Sequence, residues 1–354
     1  MKIAIILNSL SSTGTNIATK DFVDELLKKQ NIEITVFSLK SFKKGDLMFE
    51  NVKFFSFFSI VKFQNFDVVY SSTLRSDFYV FLNKSIIRNN GKALFITTIH
   101  NIIVEDLYYD YGLIISTIFS KFWMFLKKNN HKVVVSSESM LKYYEKYFDK
   151  SKLSLIEYGR SKVGLPKYIL PLSDSTQILK LKEKFKIVGT IGSLIKRKNY
   201  ILVIDLLLKY DDLAWVCLGT GVDEMNLKEI VKENALQNRV LFLGNRPDSR
   251  PYYSFFDVFF HPSKSEGFAL VLIDAMSNKT PILLATLPVY KSILKDDMVF
   301  YFNLNSKNSL FEQYEKLISD MKSTNLNVQK AFDVYENRFS IINYGEKYLK
   351  IFLN

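Results

Sequence analysis

The chain has 354 residues, 48% of them hydrophobic and 24% charged, and a formal net charge of +12; this is too long for one comfortable core and suits two domains of roughly 150 to 200 residues each. A single cysteine, Cys217, excludes an intramolecular disulfide and fits a reducing compartment. The apolar run after Met1 is far shorter than a signal-peptide core, and the longest run, over 113–126, is interrupted by Lys121 and falls short of a membrane span, so a soluble cytoplasmic protein is expected.

Residues 3–7 read as a first strand, 8–16 as a polar loop holding Gly14 and Thr15, and 17–29 as a helix. Strand, Gly-containing loop and helix form the opening of a Rossmann-like unit. Further strands are expected over 32–38, 52–58, 66–71 and 93–99, the last ending at His100. A histidine at the carboxyl end of a parallel strand lies in the crevice where open α/β sheets bind ligands. Residues 101–112, with Glu105, Asp106, Asp110 and several tyrosines, read as a loop. The helix expected over 113–128 is apolar nearly all round and is either core or a membrane-facing ridge. A strand over 132–136 and a helix over 139–148 complete the first domain, which closes on Ile156-Glu157-Tyr158-Gly159-Arg160. His131 and His261 show no carboxylate partner and read as structural. Residues 166–184, with Pro171 and the polar run DSTQ, show no clear period and form the expected linker.

The second domain opens with a strand over 185–191, followed by Gly192-Ser193 and the cations Lys196, Arg197 and Lys198. A helix over 200–208, a strand over 214–218, the bend Gly219-Thr220-Gly221, a helix over 224–233 and a strand over 240–243 lead to Gly244-Asn245-Arg246. Next comes HPSKSEGFALVLIDAMSNKTPILLA, residues 261–285, after an apolar strand over 255–260. Its loop carries Glu266 and Gly267 into a helix that starts at Phe268, Ala269, Leu270 and Val271, whose outward backbone N–H groups suit a phosphate. Asp274 lies a little over two turns beyond Glu266, on roughly the same side. Two acids flanking an anion-binding helix end suit a ligand both phosphorylated and rich in hydroxyls. Short strands over 282–285 and 299–302 and a helix over 310–321 precede the tail.

Glu266-Gly267-Phe268, Asp274, Ala275-Met276 and Thr280-Pro281 resemble the donor-binding signature of the retaining glycosyltransferases of family 4. That resemblance implies the GT-B fold, an α/β architecture of two Rossmann-like parallel-sheet domains facing a central cleft. Residues 1–165 would bind acceptor, 166–184 link, 185–330 bind the nucleotide sugar, and 331–354 form a helix crossing back to the first domain. It implies that Glu266 orients the sugar hydroxyls, Asp274 contacts the ribose, and His100 hydrogen-bonds the transferred sugar. Lys198 matches the family's diphosphate-binding Lys, while Ser193 replaces its Arg after Gly192, a loss that Arg197 or Lys196 can offset because adjacent cations still neutralise a diphosphate. Gly14 and Thr15 stand where a loop with a Gly pair faces donor phosphate, the amides of Ala269, Leu270 and Val271 face the diphosphate, and Arg246 lies close to the base. Lys279 stands where Gly often ends the helix, so the left-handed cap falls on it or on Asn278.

The implied reaction moves a hexose or related sugar from an NDP-sugar to a hydroxyl, with retention at the anomeric carbon, no cofactor and no metal. The favoured acceptor is a growing, lipid-linked cell-envelope glycan such as lipopolysaccharide or capsule. Residues 1–160 hold 22 Lys and Arg against 15 Asp and Glu, with lysines clustered at 28–29, 40–44 and 127–132 among aromatics. Such a surface suits peripheral association with an anionic membrane, the inner face of the plasma membrane, where each basic residue near lipid contributes about 1 kcal/mol; a merely Lys-rich solvated surface is the competing reading. No helix-turn-helix, zinc-finger or RNP-like pattern points to nucleic acid. Two further readings stand beside the transferase: a nucleotide-sugar epimerase or hydrolase of the same fold, and a non-enzymatic basic protein bound at a membrane or on nucleic acid.

Overall fold

The computed structural model describes residues 1–43, 46–86, 91–161, 170–246 and 248–353. Two compact units divide it: one is Met1–Arg160 together with the tail from Phe339, the other Ser161–Arg338. In chain order the first unit contains β1 (Lys2–Leu7), α1 (Gly14–Leu27), β2 (Glu33–Ser38), β3 (Val52–Phe54), β4 (Val68–Ser71), α2 (Leu74–Ile86), β5 (Leu94–Ile99), α3 (Ile103–Lys128), β6 (Lys132–Val135), α4 (Glu138–Tyr144) and β7 (Leu153–Leu155). The second contains α5 (Leu172–Lys182), β8 (Lys186–Ile191), α6 (Ile201–Lys209), β9 (Leu213–Leu218), α7 (Glu224–Glu233), β10 (Val240–Gly244), β11 (Val258–His261), α8 (Leu270–Ser277), β12 (Ile282–Ala285), α9 (Pro288–Ile293), β13 (Phe300–Phe302), α10 (Lys307–Ser319) and α11 (Met321–Arg338). The tail helix, α12 (Ile341–Leu353), returns to the first unit.

Both sheets are parallel, with strand orders β3-β2-β1-β4-β5-β6-β7 and β10-β9-β8-β11-β12-β13. Parallel strands are covered on both faces by crossover helices, so they read as apolar runs without alternation. LAWVCL in β9 is buried at every position, and IAIIL in β1 likewise. Trp215 lies fully buried in the second core and donates its Nε1–H to Thr190 Oγ1 at 2.8 Å. In the first unit, α12 presents Tyr344, Tyr348 and Phe352 at four-residue spacing to α1, and Tyr348 stacks on Phe22 at 4.1 Å. Each unit is thus a Rossmann-like parallel sheet.

Several local expectations change. Gly14 and Thr15 are not in a loop: Thr13 caps α1 by accepting from Asn16 N, which pulls the helix start forward to Gly14. Residues 103–111 are helical, and Gly112, at φ 73, interrupts α3 where an open loop is expected. Part of the expected linker, 166–169, lies outside the described residues, and Leu172–Lys182 within the rest is α5. A 3-10 turn, Arg250–Phe255, delays β11 to Val258. The tail is broken at Phe339 and Ser340, where Ser340 Oγ accepts from Asn343 N at 3.3 Å and starts α12 afresh.

Candidate active site

Strands β8 and β11 are neighbours in the second sheet. Their following loops therefore emerge side by side at the carboxyl ends, where open α/β sheets bind ligands. The loop after β8 is pressed against the loop after β9. Gly192 N donates to Leu218 O at 3.0 Å, Leu194 N to Thr220 O at 3.0 Å, and Gly219 N to Gly244 O at 2.9 Å, tying three strand ends together. Gly219 sits at φ 132, and a Cβ there would fall 1.9 Å from Gly192 O, so only glycine permits this approach. The clamp ends in a 3-10 turn, Lys196–Lys198, closed by Asn199 in the left-handed region at φ 58.

That turn places two cations on Glu266. Lys198 Nζ donates to Glu266 Oε1, and Arg197 Nη1 lies 3.4 Å from Oε2 while also donating to Ser265 O. Ser263 Oγ donates to Oε1 at 2.7 Å. His261 Nε2 stands 3.3 Å from Oε1, out of line for a hydrogen bond. This corrects the expectation that His261 has no carboxylate partner; it stacks on Phe259 and meets Tyr290 edge-on. The Glu266 side chain is 5% exposed. Burial alone raises its pKa, but Lys198 first, then Arg197 and His261, outweigh that and hold the carboxyl well below the usual range. Burial, with the two cations adding to it, keeps His261 neutral by lowering its pKa against the pull of Glu266.

Phe268 and Ala269 precede the helix rather than begin it: Ala269 is its N-cap at φ 73, and Leu270 and Val271 head α8. Asp274 is buried on α8, and Lys279, at φ 53, takes the left-handed position while Asn278 does not. Ser193 is exposed in the loop after Gly192. Arg246 is clamped by α5, with Nε donating to Asp174 Oδ2 at 2.6 Å and Nη2 to Oδ1 at 3.0 Å. Tyr252 Oη donates to the same carboxylate at 2.5 Å. The hydrogen bond from Arg246 and that from Tyr252 lower the Asp174 pKa against its partial burial. Asp174 and Tyr252 carry no sequence signal, because the pairing spans 72 residues.

In the first unit His100 follows β5, with Nδ1 hydrogen-bonded to Tyr158 Oη and Nε2 buried without a hydrogen bond. Burial, then Lys127, lowers its pKa to about 3. Gly14 and Thr15 open α1, where a Cβ on Gly14 would meet nothing within 4 Å. Lys198, Arg197, Glu266 and His261 are thus in one cluster, with Gly192, Ser193 and the start of α8 on the same pair of loops. Among the described residues no group of three or more His, Cys, Asp or Glu is placed to hold a metal ion.

HepE of Anabaena, solved with UDP-glucose, superposes with a TM-score of 0.81 over 99% of both chains at 16% identity, a likeness of fold. That likeness places the chain in the GT-B fold. The profile of the family described as Glycosyl transferases group 1 matches residues 173–332. The O-antigen biosynthesis glycosyltransferase WclY of Escherichia coli is 30% identical over 369 residues, covering all of this chain and 98% of the relative. By these matches the chain belongs to the glycosyl transferases group 1 family. A Campylobacter jejuni relative, N-acetylgalactosamine-N,N'-diacetylbacillosaminyl-diphospho-undecaprenol 4-alpha-N-acetylgalactosaminyltransferase, is 29% identical over 148 residues, 40% of this chain and 39% of that one.

Proposed function

We propose that this glycosyltransferase moves a hexose or related sugar from a nucleoside diphosphate to a hydroxyl of a growing, lipid-linked envelope glycan, retaining the anomeric configuration without a metal. The observation that carries the reading is the Lys198, Arg197 and Glu266 cluster at the ends of β8 and β11. As the bond from anomeric carbon to phosphate breaks, charge grows on the leaving diphosphate; Lys198, Arg197 and the amides of Leu270 and Val271 are the groups suited to meet it. Glu266, held ionised, is a poor proton donor and a good acceptor for sugar hydroxyls. Its partners are cations, a histidine and a hydroxyl, so the acceptor oxygen attacks on the face the diphosphate leaves, and its proton passes to a departing phosphate oxygen. Asp274 is assigned to the ribose, Arg246 to the region of the base, Gly192 and Ser193 to the diphosphate loop, His100 to the transferred sugar, and Gly14 and Thr15 to the donor phosphate. The lipid-linked envelope acceptor draws on WclY and on the undecaprenol-linked substrate in the name of the Campylobacter relative.

Two substitutions separate the roles. Glu266→Gln should lower transfer by about 100-fold or more while nucleoside diphosphate binding survives, whereas Lys198→Ala should weaken that binding by about tenfold. Binding is read by calorimetry with UDP, GDP and ADP, and the anomeric product by NMR. Wild-type turnover in Glu266→Gln, an inverted product, or activity abolished by chelator and restored by Mg²⁺ would each overturn the corresponding part.

A further inference from the structure

Helix α3 leaves much of its apolar surface outside. Beyond Gly112 its buried side carries Ser116, Ser120 and Lys127 beside Met124 and Leu126, while Ile114, Ile118, Phe119, Phe122 and Phe125 face outward. Ile114 is 76% exposed and Ile118 62%, whereas Lys127 is at 0%.

The roll of the helix is fixed from within. Lys127 Nζ pairs with Asp77 at 2.8 Å, both side chains fully buried, and also donates to Thr97 Oγ1 at 2.7 Å and Thr98 O at 3.0 Å. Trp123 Nε1 donates to Asp77 Oδ2 at 2.6 Å, and Ser71 and Thr97 hydroxyls donate to Oδ1 at 2.6 and 2.9 Å. Turning α3 to bury its apolar side would strand a carboxylate and an ammonium in the core, which nothing gained on the surface offsets. The greasy face points to solvent by construction.

That face continues beyond α3. Phe122 meets Phe78 edge-on at 5.8 Å, Phe78 lies 5.7 Å from Phe57, and Phe57 meets Phe58, which is 93% exposed. The contributing segments 52–63, 74–86 and 113–128 contain one acid, Asp77, which is buried and paired. Lys53, Lys62, Arg75, Lys121 and Lys128 are exposed on them. An apolar ridge among cations, with no exposed acid on these segments, is complementary to acyl chains beneath anionic headgroups, and the exposed Glu105 of α3 lies before the break at Gly112. A second copy would set these cations against each other. No described helix is long and apolar enough to cross a membrane, so a helix of this kind lies in the interface plane.

From this we infer that the outer face of α3, with the Phe57 and Phe58 ridge, docks on the surface of an anionic lipid bilayer. The inference deepens the reading of a lipid-linked acceptor and rests on it for its purpose, since docking brings the first unit to where such an acceptor lies.

The test is sedimentation of the full chain with vesicles of phosphatidylcholine alone or mixed equally with phosphatidylglycerol. The protein should bind the anionic vesicles, release in high salt, and leave the neutral ones largely unbound. Ile114→Glu with Ile118→Glu should cut vesicle binding by about tenfold or more with melting temperature and transfer to a short water-soluble acceptor unchanged. Lys121→Glu with Lys128→Glu, confined to exposed positions, should weaken it as well. Undiminished binding by both variants, equal binding to neutral vesicles, or a dimer dissolved by the isoleucine substitutions would overturn the inference. Vesicle binding needs no catalysis, so absent transfer with intact docking would count against the proposed reaction alone.

Discussion

Glu266 is paired with both Lys198 and Arg197, so a diphosphate bound as proposed would share those cations with a carboxylate. Its lowered pKa makes its stabilising contribution fully present above the unfolded carboxyl value and lost as pH falls through the folded one. Histidine works in the same direction here. The unfolded chain takes up a proton near pH 6.5, but folded His100 does so only at about 3, so stability falls with pH across that window. Each such group contributes a slope of about 1.4 kcal/mol per pH unit. Thermal denaturation from pH 7 to pH 4 should show the midpoint dropping, and His100→Gln should flatten the drop; an unchanged slope would refute neutral burial of that ring. Glu266 and Asp274 could be picked out as candidates because the signature fixes their spacing, and Lys198 because it lies in the cation cluster after Gly192. Arg246 was named as well, but its clamp by Asp174 and Tyr252 and the place of His261 beside Glu266 were not, because those contacts come from loops and helices brought together by the fold.

The elements around the site owe their placement to glycine. Gly219→Ala would add a Cβ at 1.9 Å from Gly192 O and at φ 132, pushing away the loop that carries Lys198. We expect a loss of at least about 2 kcal/mol in urea denaturation, with weakened nucleoside diphosphate binding; a wild-type midpoint would show that the loops are not wedged together. Most strands were legible to within a few residues because parallel strands buried on both faces leave unbroken apolar runs, whereas the short, half-buried β7 leaves none and was missed. Helices with a thin buried stripe were harder to see. Of α5 only Asp174 and Ile178 are buried, so no apolar period betrays it, although Asp174 in its first turn and Lys180 and Lys182 in its last complement the helix dipole. The forward start of α1 had a signal too, in the capping hydroxyl of Thr13. The roll of α3 had none, because it depends on a charge pair linking Lys127 to Asp77.

Chain length pointed to two domains and the opening strand, loop and helix to a Rossmann-like unit, while the expectation of two such halves came from the family resemblance. The return of the tail to the first unit rests on Tyr344, Tyr348 and Phe352 packing around Phe22, a match of faces that spacing in α12 suggests and only packing on α1 completes. One more property follows from where a single atom sits. Cys217 Sγ is wholly enclosed in β9, in the second unit, and burial pushes its thiol up to about 12. The first unit has no cysteine. Alkylating reagents should therefore leave the native chain untouched and react only when the β9 sheet opens. The labelling rate becomes a stopwatch for one half of the molecule that is blind to the other, and a nucleotide that seats in that half should slow it.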